Sequence, residues 1–342
     1  MKTRRLGRDG PLVSAIGLGC MRMSTIMGGR QPERDSHSER EGLSTIEAAL
    51  DAGITLLNTG DFYGMGHNEA LVVRAICRRR DRAFISVKCG IQRTHTGAIL
   101  GMDGRPTSIK NYATYSLQRL GVDYVDLYQP ARADPSVPYE ETIGAIAELI
   151  SEGKVRYLGV SEVNADNLRR AHSTHPVAAL EIEYSLASRF IERKMLPLAR
   201  ELGIGVVAYG VVSQGLLTGT MRGGVVNEQL AASFSRLQGA NLRKNLEAVD
   251  FLEQLAKSNG CRPAQVAISW MLSRGDDIVP LIGTSRRSRL SENLGALDIT
   301  LSMHELNALD TRSSPAPSSA AGLKPPGAAV PGSTGNSPKR RA

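Results

Sequence analysis

A tyrosine stands next to last in the short segment LLNTGDFYG at residues 56–64, where two leucines lead into a polar turn. Asp61 stands two residues before this Tyr63, and a second apolar run, residues 83–88, ends on Lys88. A phenol and an ammonium both transfer protons, but a tyrosine with its ordinary pKa near 10 needs a nearby cation to act around neutral pH. Tyrosine also ends strands because half of it is apolar, and a lysine there can simply reach water, so the two residues alone decide nothing.

Several arginines cluster in the segment GTSRRSRLSEN, residues 283–293. This segment follows an apolar run and opens a helical pattern, and the start of a helix offers backbone N–H groups to anions. Guanidinium groups bind phosphate oxygens in pairs. The segment therefore favours a phosphate site over the alternative of a solvated, arginine-rich helix start.

Short apolar, β-branched runs alternate with helical patterns along the whole chain. The predicted strands cover residues 13–18, 54–57, 83–88, 124–128, 156–160, 178–182, 205–209 and 278–282. Between them lie predicted helices such as 140–152 and 190–202. Asn164 and Ser188 are predicted to cap the helices that follow them.

Eight strand–helix repeats in about 300 residues predict an α/β fold, a single (β/α)8 TIM barrel. In such a barrel the chemistry belongs at the C-terminal ends of the strands, which is where Tyr63 is expected. A doubly wound sheet is the competing fold. It usually carries GxGxxG after its first strand, and the sequence GLGCM at residues 17–21 lacks that pattern.

The composition is that of an ordinary soluble protein, with 41% hydrophobic and 22% charged residues among 342. We expect the barrel to occupy residues 1–312, followed by a disordered, basic tail rich in Pro, Ala, Ser and Gly over 313–342. Five of the eight net positive charges lie from Arg312 onward, so no nucleic-acid partner is predicted for the barrel.

The four cysteines are scattered, without metal-ligand spacing, and no metal is predicted. The basic N-terminus breaks its apolar run with Gly and Pro and makes a poor signal peptide. No run approaches the roughly 18 apolar residues that a membrane span needs. These features predict a cytoplasmic protein with free thiols and no membrane partner, and they leave its oligomeric state open.

Seven segments occur in the order found in the aldo-keto reductases, which the chain resembles over residues 3–312. They are IGLG at 16–19, NTGDFYG at 58–64, VKCG at 87–90, DLYQPARADP at 126–135, GKVRYLGVSE at 153–162, AYG with GLLTG at 208–219, and GTSRRSRLSEN at 283–293. Members of this family are (β/α)8-barrel oxidoreductases that move hydride between NADPH and a carbonyl. The resemblance implies an NADP(H)-dependent reductase of a small aldehyde or ketone, with an aromatic or pyridoxal-like aldehyde as the expected substrate.

The resemblance also assigns the catalytic residues, with Tyr63 as the proton donor and Lys88 as its cationic neighbour. The family usually has an aspartate to pair with the lysine, and here that position holds Asn58. Asn58 can accept a hydrogen bond from Lys88 but cannot neutralise its charge, so the sequence predicts a lysine without a carboxylate partner. Asp61 is not a displaced substitute, because many members carry an acid there as well.

The histidine of the family corresponds to Ala131. Arg132 or Gln129 could take over its role of orienting the carbonyl. Some bacterial and fungal members, including pyridoxal-reductase-like ones, carry the same P-A-R type of motif, so the change is compatible with a subgroup of active enzymes. The alternative hypothesis is a regulatory or interaction protein that binds NADP(H) and turns over weakly or not at all.

For the cofactor, the resemblance implies that Tyr209 stacks on the nicotinamide ring, although a tyrosine that caps the core is the simpler alternative. Ser161 corresponds to the residue that bonds the carboxamide, and Glu162 and Glu181 stand where the family has its two amides. The segment 215–219 would follow the pyrophosphate, with Gly215 and Leu217 in contact. The 2′-phosphate and adenine contacts are assigned to Gly283, Thr284, Ser285, Arg286, Arg289, Glu292 and Asn293. Bidentate contacts to the 2′-phosphate are expected from Arg286, Arg287 and Arg289, which favours NADP(H) over NAD(H).

Overall fold

Eight parallel strands close into a barrel in the computed structural model, which describes residues 1–24, 36–221 and 228–313. The strands are β1 (Thr3–Arg5), β2 (Leu12–Ser14), β3 (Gly17–Gly19), β4 (Leu56–Gly60), β5 (Phe84–Cys89), β6 (Ile91–Arg93), β7 (Ile99–Met102), β8 (Val125–Pro130), β9 (Val155–Ser161), β10 (Val177–Glu183), β11 (Gly205–Tyr209) and β12 (Ile278–Gly283). The barrel consists of β3, β4, β5, β8, β9, β10, β11 and β12, and their order around the barrel is their order in the chain.

The helices pack around the barrel and bury its outer face in the main hydrophobic core. They are α1 (Ser36–Asp51), α2 (His67–Ile76), α3 (Pro106–Leu120), α4 (Tyr139–Ser151), α5 (Ala165–Thr174), α6 (Met195–Leu202), α7 (Glu228–Ser233), α8 (Gly239–Ser258), α9 (Pro263–Leu272), α10 (Arg287–Leu294) and α11 (Met303–Arg312). The predicted (β/α)8 barrel is thus confirmed. No helix within the described ranges is long and apolar enough to cross a bilayer.

An antiparallel hairpin of β1 and β2 closes the N-terminal end of the barrel. Leu6 and Val13 from this hairpin pack inside the barrel against Leu56, Phe84 and other apolar side chains near the starts of the strands. The predicted first strand, 13–18, is divided between β2 and β3, because the chain turns from the hairpin into the barrel there. The Ser14 hydroxyl donates to the Ile16 carbonyl in this turn.

A predicted helix over residues 190–202 is interrupted in the structure. Phe190–Arg193 forms a 3-10 turn, and α6 begins only at Met195. Pro197 explains the break, because its ring would clash with the carbonyl of residue 193 in a continuous helix.

The two predicted helix caps have different outcomes. The Asn164 side chain accepts from the backbone N–H of Asn167 and caps α5, as predicted. The prediction that Ser188 caps a helix is wrong, because the backbone of Ser188 pairs with that of Ser185 in a tight turn instead. The predicted tail lies outside the described residues except for Ser313, and it stays a prediction.

Candidate active site

A layer of polar side chains fills the barrel just above its apolar floor. Because side chains alternate along a strand, Asn58 points to the same side as Leu56 but lies one layer nearer the C-terminal end. The register places Asn58 beside Ser86 and Lys88 beside Gln129 on neighbouring strands. All of these polar side chains are buried.

The Lys88 ammonium is paired with a carboxylate from the far side of the barrel. Its Nζ lies 2.9 Å from Oε1 and 3.2 Å from Oε2 of Glu181 on β10, and it also donates to Oδ1 of Asn58 at 2.5 Å. The expectation that Lys88 lacks a carboxylate partner is therefore wrong. Sequence comparison missed the partner because it lies 93 residues further along the chain and on a strand that does not neighbour β5.

Two amides hold the Glu181 carboxylate in place. The Asn58 Nδ2 donates to Oε2 of Glu181 at 2.7 Å, and the Gln129 Nε2 donates to the same oxygen at 2.5 Å. Ser86 Oγ accepts from both amides, at 3.3 and 3.2 Å. A Cβ on Gly159 would lie 2.9 Å from Oε1 of Gln129, so this glycine leaves room for the Gln129 side chain. The buried charge at residue 181 is thereby paired and hydrogen-bonded, as its desolvation requires.

Tyr63 lies beside this cluster and is only 6% exposed. The Lys88 Nζ is 5.3 Å from the centroid of the Tyr63 ring. Burial raises the pKa of Tyr63, and the Lys88 charge offsets part of that rise. For Lys88, burial lowers the pKa, but Glu181 and Tyr63 outweigh it and the net shift is upward. At neutral pH the site therefore holds a protonated phenol next to a charged ammonium.

Backbone hydrogen bonds fix the turn that carries Tyr63. The N–H of Tyr63 donates to the Gly60 carbonyl at 3.0 Å, and the N–H of Asp61 donates to the Lys88 carbonyl at 3.0 Å. The Tyr63 ring packs edge-on against Phe62, with ring centroids 4.8 Å apart. The turn thus ties the tyrosine to the end of β5, where Lys88 lies.

Asp61 belongs to a second cluster of charges next to this turn. Burial raises its pKa to about 8, the Glu69 carboxyl adds to the rise, and Arg119 counteracts it. Glu69 is fully buried and forms an ion pair with Arg119. The Asp61 carboxyl is therefore mostly protonated at neutral pH.

An apolar cluster surrounds the tyrosine on the open side of the barrel. Phe62, Ile91 and Ala131 are its other buried members, and Met21, Ile99 and Met102 pack against it. The hairpin of β6 and β7 supplies several of these side chains and was not predicted. Its sequence signal is Gly97 before the short apolar run 98–100, and Gly97 adopts a φ of 87° in the turn.

The two side chains considered as substitutes for the histidine are placed differently. Gln129 belongs to the buried layer and is bonded to Glu181 and Ser86. Arg132 is half-buried and donates to the Ala131 carbonyl at 2.6 Å. The buried Ala131 adds to the apolar wall beside Tyr63.

The residues assigned to the nicotinamide lie at the ends of β9, β10 and β11. Ser161 ends β9 and is buried, and Tyr209 ends β11 and is half-buried. Glu162 Oε1 accepts from the backbone N–H of Glu183 at 2.9 Å. The Glu181 carboxylate, which the resemblance assigns to the nicotinamide, is bonded within the Lys88 cluster.

A buried ion pair between Glu183 and Arg236 was not predicted. Arg236 lies in the 3-10 turn Ser235–Leu237, between β11 and α8. Both side chains are buried, and the pair ties this connection to the mouth of the barrel. Burial raises the pKa of Glu183, while Arg236 opposes that shift. Only a long-range contact reveals this pair, since the two residues are 53 positions apart.

The backbone is unusual where the chain enters the segment 215–219, which is assigned to the pyrophosphate. Ser213, Gln214 and Gly215 have positive φ angles of 49°, 57° and 101° in succession. The Ser213 Oγ and Gln214 Oε1 atoms are buried and have no hydrogen-bond partner among the described residues. Strained backbone and unpaired buried polar atoms are typical of ligand-binding segments, so these residues fit a bound polar group. Leu217 is buried behind them.

The arginine cluster lies at the start of α10, directly after β12. Arg286 and Arg289 are exposed, and neither pairs with an acid of the described part of the chain. Arg287, by contrast, is bonded to Glu41 through its side chain and its backbone N–H. The first helical hydrogen bond runs from Leu290 to Arg286, so the N–H groups of Ser288 and Arg289 remain available at the helix start.

The remaining residues assigned to the phosphate and adenine side lie around this helix start. Gly283 ends β12 and is exposed, Thr284 is buried, and Ser285 is half-buried. The backbone carbonyl of Glu292 accepts from Gln265, and Asn293 is buried. Backbone donors, polar side chains and two guanidinium groups that pair with no acid among the described residues together fit a phosphate-bearing ligand.

Comparisons with known proteins agree with this geometry. The model of the Aldo/keto reductase family matches residues 15–313. The chain is 39% identical over 309 residues to a protein named probable aldo-keto reductase 1 from Glycine max, covering 89% of this chain and 87% of that protein.

Two solved structures are similar to the whole barrel. A glycerol dehydrogenase from Gluconobacter oxydans has a TM-score of 0.82 at 30% identity, covering 92% of this chain and 97% of that one. A thermostable aldo-keto reductase in complex with the inhibitor epalrestat has a TM-score of 0.73 at 28% identity, covering 91% of this chain and 100% of that one. The family model over most of the sequence and the 39% identical relative establish that the chain belongs to the aldo/keto reductase family.

Proposed function

We propose that this protein reduces an aldehyde or ketone to the alcohol with NADPH, using Tyr63 as the proton donor and Lys88 as its cationic neighbour. The observation that carries the proposal is the buried Lys88–Glu181 ion pair, with the ammonium 5.3 Å from the Tyr63 ring. A charged lysine favours the phenolate that forms when the tyrosine gives up its proton, so it promotes the transfer. Membership of an oxidoreductase family supports the same reaction.

When bound, NADPH supplies the hydride that the carbonyl carbon accepts. The chain's part is to hold the carbonyl oxygen at Tyr63, deliver the proton to it and keep water away. Tyr63 is buried among apolar side chains, so the hydroxyl is shielded from bulk solvent and the electrostatic effect of Lys88 is stronger there than in water.

The cofactor preference for NADP(H) is supported by Arg286 and Arg289. Both are exposed at the start of α10 and unpaired with acids of the described residues. A 2′-phosphate would receive charge-assisted hydrogen bonds from them, and NADH has no such group. Ser161, Tyr209 and the segment around Gly215 would hold the nicotinamide and pyrophosphate.

The apolar cluster around Tyr63 supports an apolar or aromatic carbonyl substrate. Phe62, Ile91 and Ala131 offer no charged group to a substrate next to the hydroxyl.

The four cysteines, all of them described, are free thiols, which supports a reducing compartment such as the cytoplasm.

A second candidate function is NADP(H)-dependent regulation or interaction with little turnover. The buried Ala131 favours it, because no histidine orients the carbonyl there. The missing acid at residue 58 does not favour it, because Glu181 provides a carboxylate for Lys88.

Incubation of the purified protein with NADPH and a panel of aldehydes, followed by the cofactor's absorbance, tests the proposal. We expect oxidation of NADPH with apolar and aromatic aldehydes, and almost none with the Tyr63→Phe variant. NADPH binding without turnover across the panel would favour the regulatory function. No NADPH binding would contradict both.

A further inference from the structure

The carboxylate that pairs with Lys88 comes from a different wall of the barrel than the resemblance implies. Residue 58 lies on β4, next to β5, whereas residue 181 lies on β10, with three strands between it and β4 on one side of the ring. Glu181 reaches across the interior, and its two oxygens take hydrogen bonds from Lys88, Asn58 and Gln129. A side chain held in this way is not available to a nicotinamide carboxamide.

We propose that Glu181 is the positioning residue that keeps the Lys88 ammonium charged and directed at Tyr63, in place of an acid at residue 58. The inference deepens the proposed reductase function and rests on it. It also removes residue 181 from the cofactor contacts, where the sequence had placed it.

The identities of residues 58 and 181 depend on each other. The Asn58 amide accepts from Lys88 through Oδ1 and donates to Glu181 through Nδ2. An aspartate at residue 58 could accept but not donate, and it would face the Glu181 carboxylate across the same short distance. The wild-type pair gives Lys88 one carboxylate, from Glu181, and one amide, from Asn58. The double substitution Asn58→Asp with Glu181→Gln gives it the same two groups at exchanged positions, so it should preserve the charge of the layer. The Gln129 amide must then turn so that its Oε1 accepts from the new amide at residue 181, because its Nε2 now donates to Oε2 of Glu181.

The test compares Glu181→Gln, the exchange variant Asn58→Asp with Glu181→Gln, and the control Asp126→Asn. Asp126 is also a buried, ion-paired carboxylate of a barrel strand, but its partner Arg80 lies outside the barrel interior. We measure kcat against pH with an aldehyde, and the Kd of NADPH by fluorescence titration.

For Glu181→Gln we expect kcat to fall by about 10- to 100-fold, with the Kd of NADPH changed by less than about threefold. The alkaline limb of its kcat–pH profile should move to lower pH. Without the carboxylate, burial lowers the pKa of Lys88, so the lysine loses its proton at lower pH. The exchange variant should recover kcat to within about fivefold of wild type, and its alkaline limb should return to the wild-type pH. Asp126→Asn should keep the wild-type profile.

A second readout does not depend on turnover. Cyanate carbamylates only neutral amines, so the pH at which Lys88 is labelled, followed by mass spectrometry, reports its charge. Labelling should begin at lower pH in Glu181→Gln than in wild type and return to the wild-type pH in the exchange variant. If no aldehyde is reduced by the wild type, the proposed function fails, and this readout still decides the role of Glu181.

Several results would overturn the inference. Weaker NADPH binding with unchanged kcat in Glu181→Gln would make residue 181 a cofactor ligand. If Lys88 is labelled at the same pH in Glu181→Gln as in wild type, the charge of Lys88 does not depend on Glu181. An exchange variant that is as slow as Glu181→Gln, or that does not fold, would reduce Glu181 to a structural residue.

Discussion

Asn58→Asp alone should make the stability of the protein depend on pH. The new carboxylate would lie near Lys88 Nζ, at the 2.5 Å of the present Oδ1 contact, and near Glu181 Oε2, at the 2.7 Å of the present Nδ2 contact. At an effective dielectric constant of about 20, unit charges at these distances interact by about 6 to 7 kcal/mol. Attraction to the lysine and repulsion from the glutamate therefore nearly cancel.

What remains is the cost of burying a third charge beside an ion pair that is already neutral. A buried carboxyl avoids this cost by retaining a proton, which means that its pKa is raised in the folded state. The folded variant then binds one proton more than the unfolded chain above the ordinary carboxyl pKa near 4. Its free energy of unfolding, relative to wild type, should fall by up to about 1.4 kcal/mol per pH unit as the pH rises from 4 toward the raised value.

Urea denaturation of wild type and Asn58→Asp at several values between about pH 5 and pH 8 measures this slope. The exchange variant, Asn58→Asp with Glu181→Gln, is the control, because it has one carboxylate and should show no added slope. A stability difference that stays constant over this range would refute the reasoning, since it would mean that residue 58 and Glu181 do not share the site.

Three further predictions address the other groups. Tyr63→Phe should lower kcat by about 10²- to 10⁴-fold without weakening NADPH binding, and a variant that keeps more than about a third of the wild-type kcat would exclude Tyr63 as the acid. Arg289→Ala should raise the Kd of NADPH by about 10- to 100-fold and that of NADH much less, and equal losses in the two titrations would place the arginine elsewhere. Asp61→Asn should stabilise the fold against urea increasingly between about pH 4 and pH 8, because a carboxyl whose pKa is raised to about 8 loses stability as the pH rises through that window. The third prediction fails if the stability gain is as large below pH 4, where the wild-type carboxyl is protonated in both states.

Much of the fold followed from local patterns in the sequence. The eight apolar runs predicted the eight barrel strands, because a strand buried on both faces is apolar along its length. Asn164 predicted the start of α5, because capping is a contact between residues three apart. The family motifs likewise pointed to Tyr63 and Lys88 as a pair, since Tyr63 follows β4 and Lys88 lies near the end of β5 at the same edge of the barrel.

The tertiary structure decided which charges meet. Lys88 and Glu181 are 93 residues apart and lie on strands that are not neighbours, so no local pattern joins them. Glu183 on β10 and Arg236 in the turn before α8 are 53 residues apart, so no local pattern joins them either. The sequence therefore determined the strands of the barrel and the places of Tyr63 and Lys88 along the chain. Closure of the barrel determined their partners, because only closure brings opposite strands to within reach of one side chain.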